Sequence, residues 1–320
     1  MNSPEHPRIR LAVSACLLGQ PVRYNGGHKE SRLCTQILAR YFELVPVCPE
    51  MAIGLGTPRE SIHLTGDPQA PRAIGTRHPE RDVTAALTAY GQTMARQLGD
   101  ICGHILMQKS PSCGMARVRV YQDNGFPATE GSAGLYAKAV MAARPDLPVE
   151  EDGRLNDPVL RENFLTRVFA CARWQQLQQQ GLTCQALLDF HASYKYQVLA
   201  HDPGQYRALG RLLAGAGQQP LETLAPRYFR LLMQALKKTA TRGTHTNVLQ
   251  HMSGYLKNAL DPGDREEMRR LIRQYHQGTV PLVVPLTLLK HHLRRHPDAW
   301  LIRQAYLQPH PEELQLRNAL

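Results

Sequence analysis

The chain has no apolar run approaching the roughly 20 consecutive residues that a bilayer span requires, so no membrane partner is expected. Its opening residues lead straight into the strand-like LAVSA without an apolar leader and small-residue cleavage site, so a cytoplasmic protein is expected. Seven cysteines in 320 residues are too few for a disulfide scaffold. None of them forms a CxxC pair, which weighs against a dithiol redox centre. There is no internal repeat and no long low-complexity tract. In a reducing compartment, cysteines that do not simply fill the core are ligands or nucleophiles, so their surroundings carry the information.

What is present points to two domains. A length of 320 residues exceeds one ordinary domain, and 42% hydrophobic with 20% charged residues is usual for a globular protein. Charge is uneven: residues 1–150 hold 16 Lys+Arg against 13 Asp+Glu, a net of +3, whereas residues 151–320 hold 22 against 14, a net of +8. A basic module joined to a nearly neutral one suggests an anionic partner, with nucleic acid the commonest. An inert basic surface is the alternative.

The first part alternates between strand and helix signals. Residues 9–15 (IRLAVSA), 44–47 (LVPV) and 102–107 (CGHILM) read as strands, and 117–121 (RVRVY) as an edge strand. Leu33, Ile37 and Leu38 lie at helical spacing, 83–98 shows one apolar helical face, and 133–143 is helical again. The expected fold is an α/β domain with a mostly parallel, Rossmann-like sheet. From about Asn163 the character changes: segments 164–180, 182–200, 206–214, 226–241, 246–260, 264–277 and 285–295 predict an all-α bundle. Residues 144–157 (RPDLPVEEDGRLND) read as a connector, which sets the domains at 1–160 and 161–320.

Three cysteines sit just past predicted strand ends. Cys16 follows the first strand, Cys48 the second, and Cys113 lies in the turn KSPSCG after the third. In an open parallel sheet that rim is where loops converge on a ligand, so residues separated by 31 and 64 intervening positions can meet there. Three thiolates suit a metal centre with an open position, since closed structural zinc and electron-transfer clusters take four protein ligands. A redox pair or coincidence is the rival reading. Cys34, Cys102, Cys171 and Cys184 lack this context and read as core. Glu50 and Ser110 flank the three, as a base and a hydroxyl relay or else as a helix cap and a turn bond. Arg23, Asn25 and Lys109 are candidate substrate contacts. Arg59, in a loop with Thr57 and Pro58, reads as a substrate contact or a surface charge.

SACLLGQPVRYNGG, VCPEMAIGLGTPRE and QKSPSCG together resemble the iron–sulfur thiouracil desulfidase (TudS-like) family over roughly residues 8–165. The resemblance implies a [4Fe-4S] cluster held by Cys16, Cys48 and Cys113, an open fourth iron for the substrate's sulfur, and Glu50 and Ser110 as catalytic groups. DFHASYKYQVLAHDP and HTNVLQHMSGYLK resemble the YbgA-like helical domain. Two-domain proteins of this layout, the RudS type, remove sulfur from 4-thiouridine in tRNA, whereas single-domain relatives act on free thiouracils. The resemblance therefore implies a non-redox, hydrolytic tRNA 4-thiouridine desulfidase. Desulfuration of free thiobases, or a non-catalytic tRNA-binding module with a structural metal, are the alternatives.

For phosphate contacts the candidates are Lys237, Lys238, Arg242, Arg294 and Arg295, with Arg269, Arg270, Arg273 and Lys290. His291, His292 and His296 do not share one helix face and do not read as a metal site. His191, His201, His245 and His251 read as buried hydrogen-bonding residues.

Overall fold

The computed structural model describes residues 8–122 and 124–320. It divides after Asn156 into two compact units. In the first, four short strands form a parallel sheet. Its strands are β1 (Ile9–Ser14), β2 (Phe42–Val47), β5 (Gly103–Leu106) and β7 (Val149–Glu151), in the order β2-β1-β5-β7. The chain thus moves from β1 outward to β2, then returns to the other side of β1 for β5. That reversal opens a crevice at the carboxyl ends of β1 and β5.

A second, smaller sheet has the order β4-β3-β6, from β3 (Ile62–Thr65), β4 (Arg72–Gly75) and β6 (Val120–Tyr121). Strand β3 pairs antiparallel with β4 and parallel with β6. The expected edge strand at 117–121 is therefore shorter and belongs to this sheet. Strands β3 and β4 escape the sequence because each has four residues with alternate positions part-exposed. Strand β7 lies inside the stretch read as a connector, hidden by two glutamates that it buries. Glu150 is tied to Arg154 at 2.6 Å, and Glu151 accepts the Met115 N–H at 2.9 Å.

Helix α1 (Pro49–Ala52) is one turn after β2. Leu33–Ile37 forms a single π-helical turn rather than a longer helix. Helices α2 (Thr84–Gln97) and α3 (Leu135–Ala143) pack against each other through Gly91. A Cβ there would stand 2.7 Å from the Ala139 Cβ and 2.8 Å from the Tyr136 carbonyl oxygen, so only glycine allows this approach.

The second unit is all helical: α4 (Pro158–Gln179), α5 (Cys184–His201), α6 (Pro203–Ala214), α7 (Leu221–Lys237), α8 (Arg242–Tyr255), α9 (Pro262–Gln277), α10 (Val283–Arg295) and α11 (Ala299–Ile302). Side-chain caps set the starts: Asp157, Thr183, Asp202, Thr241 and Asp261 accept N–H groups of the first turns. Helix α7 begins five residues before Pro226, which sits inside it rather than opening it. Trp174 stacks on Phe229 at 4.9 Å, and a larger cluster gathers α8, α9 and α10 around Leu249, Ile272 and Leu289. Among the described residues no helix is long and apolar enough to cross a membrane.

Candidate active site

The three strand ends deliver their cysteines to one cavity. Beyond β1 the chain makes a tight turn, Ala15–Leu18, closed by Gly19 at φ 82°. Cys16 lies in this turn, Cys48 at the end of β2, and Cys113 in the loop beyond β5. All three line a cavity of about 370 Å³ with Glu50, Arg59, Ser110, Arg23, Tyr24, Lys29 and Lys109. No cysteine forms a disulfide. Burial pushes Cys16 up to about 11, with the neighbouring Cys48 adding to the rise. Burial, then Glu50, push Cys113 well above its ordinary value, and Cys16 and Cys48 contribute, while the Ser14 hydroxyl opposes. Burial also raises Cys48. Three thiolates here need a cationic group to balance them. Among the described residues no group of three His, Cys, Asp or Glu side chains is arranged to hold a single metal ion.

Glu50 does not cap its helix. Its Oε2 accepts from Arg59 Nε at 3.0 Å and Nη2 at 2.6 Å, and its Oε1 accepts the Ser112 hydroxyl at 2.8 Å. Arg59 is neither a surface charge nor a free substrate arm: its side chain is 4% exposed and also donates to the Gly56 and Val22 carbonyls. The turn-bond reading of Ser110 describes it well. Its Oγ accepts the Ser112 and Cys113 N–H groups at 3.2 and 3.1 Å, while the residue still lines the cavity. With its lone pairs committed to those donors, its own hydrogen is left to be given elsewhere. Lys109, at φ 59°, and Arg23 border the cavity, whereas Asn25 does not; its Oδ1 folds back onto the Gly27 N–H at 3.2 Å. Ser112 and Ser14 escape a reading of the sequence, since one serine beside a cysteine looks like the next.

Comparison with known proteins fits each half. The 2-thiouracil desulfurase family matches residues 11–152, and a family described as a protein of unknown function (DUF1722) matches 195–311. The uncharacterized protein YbgA of Escherichia coli (strain K12) is 37% identical over 159 residues, 49% of this chain and 94% of the relative. The chain belongs to the YbgA family in its second half, and its first half matches the 2-thiouracil desulfurase family model. The uncharacterized protein YbbK of Bacillus subtilis (strain 168) is 28% identical over 156 residues, 46% of this chain and 98% of that protein. A solved [4Fe-4S]-dependent thiouracil desulfidase, TudS, is 29% identical over 47% of this chain and 95% of its own, with a TM-score of 0.34.

In the YbgA-like half the candidate cations fall into different situations. Lys238 pairs with Asp202 at 2.5 Å. Arg242 donates to the Tyr275 carbonyl and covers that ring at 5.2 Å. Arg270 pairs with Glu267, and Lys290 with Glu312. Lys237, Arg294 and Arg295 are exposed. Lys257, Arg265, Arg269, Arg273 and His276 line a groove of about 740 Å³ along α8 and α9, where Glu266 pairs with Arg269 and Arg273. His191, His201 and His245 are buried, as expected, but His251 is exposed. His292 is buried while His291 is exposed, so these two do not face one point.

Proposed function

We propose that this chain is a desulfidase that replaces the sulfur of a thiolated pyrimidine by oxygen. In this reading Cys16, Cys48 and Cys113 hold a [4Fe-4S] cluster, and 4-thiouridine in tRNA is the substrate. One observation carries it: thiols from three strand ends line one cavity beside a carboxylate fixed by Arg59 and Ser112. The donor set suits the group. Thiolates are the ligands that iron–sulfur clusters take, and these three, two buried and Cys48 part-buried, are unbridged and mutually unfavourable without a cation. Three ligands leave one iron free of protein, and when bound the cluster supplies there a thiophilic Lewis acid for the substrate's sulfur.

The chain's own groups do the proton work. Water and the thiocarbonyl give a carbonyl and hydrogen sulfide, so no electrons are exchanged and only protons need a carrier. Glu50 takes the proton of the water that replaces sulfur, held towards the cavity by Arg59 and Ser112. Ser110, an acceptor for two backbone N–H groups, gives its O–H to the pyrimidine's heteroatoms and fixes the ring's orientation. Lys109 and Arg23 supply positive charge at the cavity.

A base in tRNA must leave its stack to reach recessed thiols, which costs a few kcal/mol. Phosphate contacts along a basic surface offset that cost. The second half, net +8, carries such a surface in the α8–α9 groove. The test is to incubate the anaerobically reconstituted full chain with 4-thiouridine-containing tRNA, digest it, and quantify 4-thiouridine, uridine and sulfide. Conversion of tRNA in preference to free 4-thiouridine is expected. Turnover of the free nucleoside alone identifies a thiobase enzyme, and RNA binding without sulfide release overturns the desulfidase reading.

A further inference from the structure

Tyr24 is the one aromatic residue among the described residues lining the cysteine cavity, and it is 44% exposed. The backbone that carries this ring is pinned. The Tyr24 carbonyl accepts the Arg59 N–H at 2.7 Å. The preceding carbonyl, of Arg23, accepts the Thr57 hydroxyl at 3.0 Å and the Gly26 N–H at 2.9 Å. Gly26, at φ 75°, makes the turn that permits this closure. With the bond from Arg59 Nη2 to the Val22 carbonyl at 3.0 Å, three hydrogen bonds tie residues 22–24 to the 57–59 segment, whose Arg59 holds Glu50.

The Arg23 guanidinium stands over the Tyr24 ring, 5.7 Å from its centroid. A ring carried on a fixed backbone, backed by a cation and part-exposed, is a surface for a second flat π-system. The ordering cost of its backbone has already been met in folding. The other apolar residues on the cavity wall, such as Ile62, Met107 and Val22, are aliphatic and offer area without a matching flat face.

Building on the desulfidase reading above, we infer that Tyr24 is the stacking platform for the substrate's pyrimidine ring, holding the ring in the cavity lined by the cysteines and Glu50. Stacking on a pyrimidine face does not depend on which exocyclic atom the ring carries. The platform therefore holds substrate and product alike, and its loss shows as weaker binding rather than slower chemistry.

The test uses the full, cluster-loaded chain with Tyr24→Ala, Tyr24→Phe and Tyr24→Trp. Equilibrium dialysis measures the affinity for uridine, which has no sulfur to react, and steady-state kinetics measure free 4-thiouridine. Tyr24→Ala is expected to weaken uridine binding and raise KM by about ten- to a hundredfold, in keeping with typical base–aromatic stacking. Its kcat stays within about threefold, and Phe and Trp restore wild-type affinity. Tyr24→Ala with wild-type iron content and wild-type uridine affinity overturns the platform alone, in an enzyme that still releases sulfide. Wild-type protein that releases no sulfide from any thiolated pyrimidine overturns the desulfidase reading, and the platform with it.

Discussion

Arg59 grips Glu50 with two donors on a single carboxylate oxygen, Nε at 3.0 Å and Nη2 at 2.6 Å, leaving the other oxygen to the Ser112 hydroxyl at 2.8 Å. A planar guanidinium imposes direction as well as charge, so the carboxylate can turn only by breaking both bonds. The same guanidinium reaches the Val22 and Gly56 carbonyls, which joins two loops of the cavity to the carboxylate. The site is organised by this arginine as much as by its cysteines.

Replacing Arg59 should therefore harm the chemistry without emptying the cysteine site. Glu50→Gln is expected to lower the rate of sulfide release by about 10²–10⁴-fold, the usual span of a general base. Arg59→Ala should lower it by at least tenfold and, by leaving a largely buried carboxylate unpaired, destabilise the chain by about 3–5 kcal/mol. Arg59→Lys keeps the charge but not the paired donors, and recovers stability more than rate. Iron content, rate and urea midpoint measured together check this. A rate unchanged in Glu50→Gln refutes the assignment of the base.

Iron and acid-labile sulfide per chain separate the two classes of cysteine. After anaerobic reconstitution, about four of each are expected in the wild-type chain, as a [4Fe-4S] cluster requires. Single alanine variants of Cys16, Cys48 or Cys113 should lose the bound iron and all sulfide release. Cys34→Ala, Cys102→Ala, Cys171→Ala and Cys184→Ala, outside the cavity, should keep both. Zinc in place of iron, or iron retained when Cys16, Cys48 and Cys113 are all replaced by alanine, shows that another group occupies the site.

The parts of this architecture that can be read from sequence share one physical cause. Strands β1 and β5 bury most of their residues, so they appear as largely apolar runs and point to Cys16 and Cys113. Strand β7 is equally buried but spells VEE, because Arg154 and the Met115 N–H satisfy its carboxylates from outside the strand. Periodicity cannot register such compensation. Arg59 is ambiguous in sequence for the same reason, since its partners lie 9 and 37 positions away. Ser110 and Ser112 are two residues apart in one turn, and only their hydrogen bonds separate the hydroxyl on the cavity from the one that anchors Glu50.

The helical half should lose stability under mild acid. Burial lowers His191 to about 4 and His245 to about 3, and burial also lowers His201. Between pH 6.5 and about 4 the unfolded chain binds protons that the folded chain refuses, so stability is full above pH 6.5 and falls as pH drops through this window. Lowering the pH from 7.5 to 5 should cost about 2 kcal/mol for each of His191 and His245. His245→Gln keeps a partner for the Tyr306 hydroxyl, which lies 2.8 Å from the His245 Nδ1, while removing one titration. Denaturant unfolding at the two pH values should show a smaller difference for this variant than for wild type, and an equal difference refutes the burial argument.

The groove along α8 and α9 gives the RNA reading its most direct test. Lys257, Arg265 and Arg273 line it, and a polyanion seated there neutralises them without reading sequence. Alanine at Lys257 and Arg265 together should weaken binding of tRNA by a similar factor whatever its sequence, and should lower the slope of log affinity against log salt by roughly one for each phosphate no longer neutralised. Turnover of free 4-thiouridine, which needs only the cysteine cavity, should stay at the wild-type level. The comparison variant is Lys238→Ala, whose side chain pairs with Asp202 outside the groove and should leave the salt slope unchanged. If the groove variant and Lys238→Ala behave alike, the phosphate track lies on another face, and the exposed Arg294 and Arg295 become the next residues to replace.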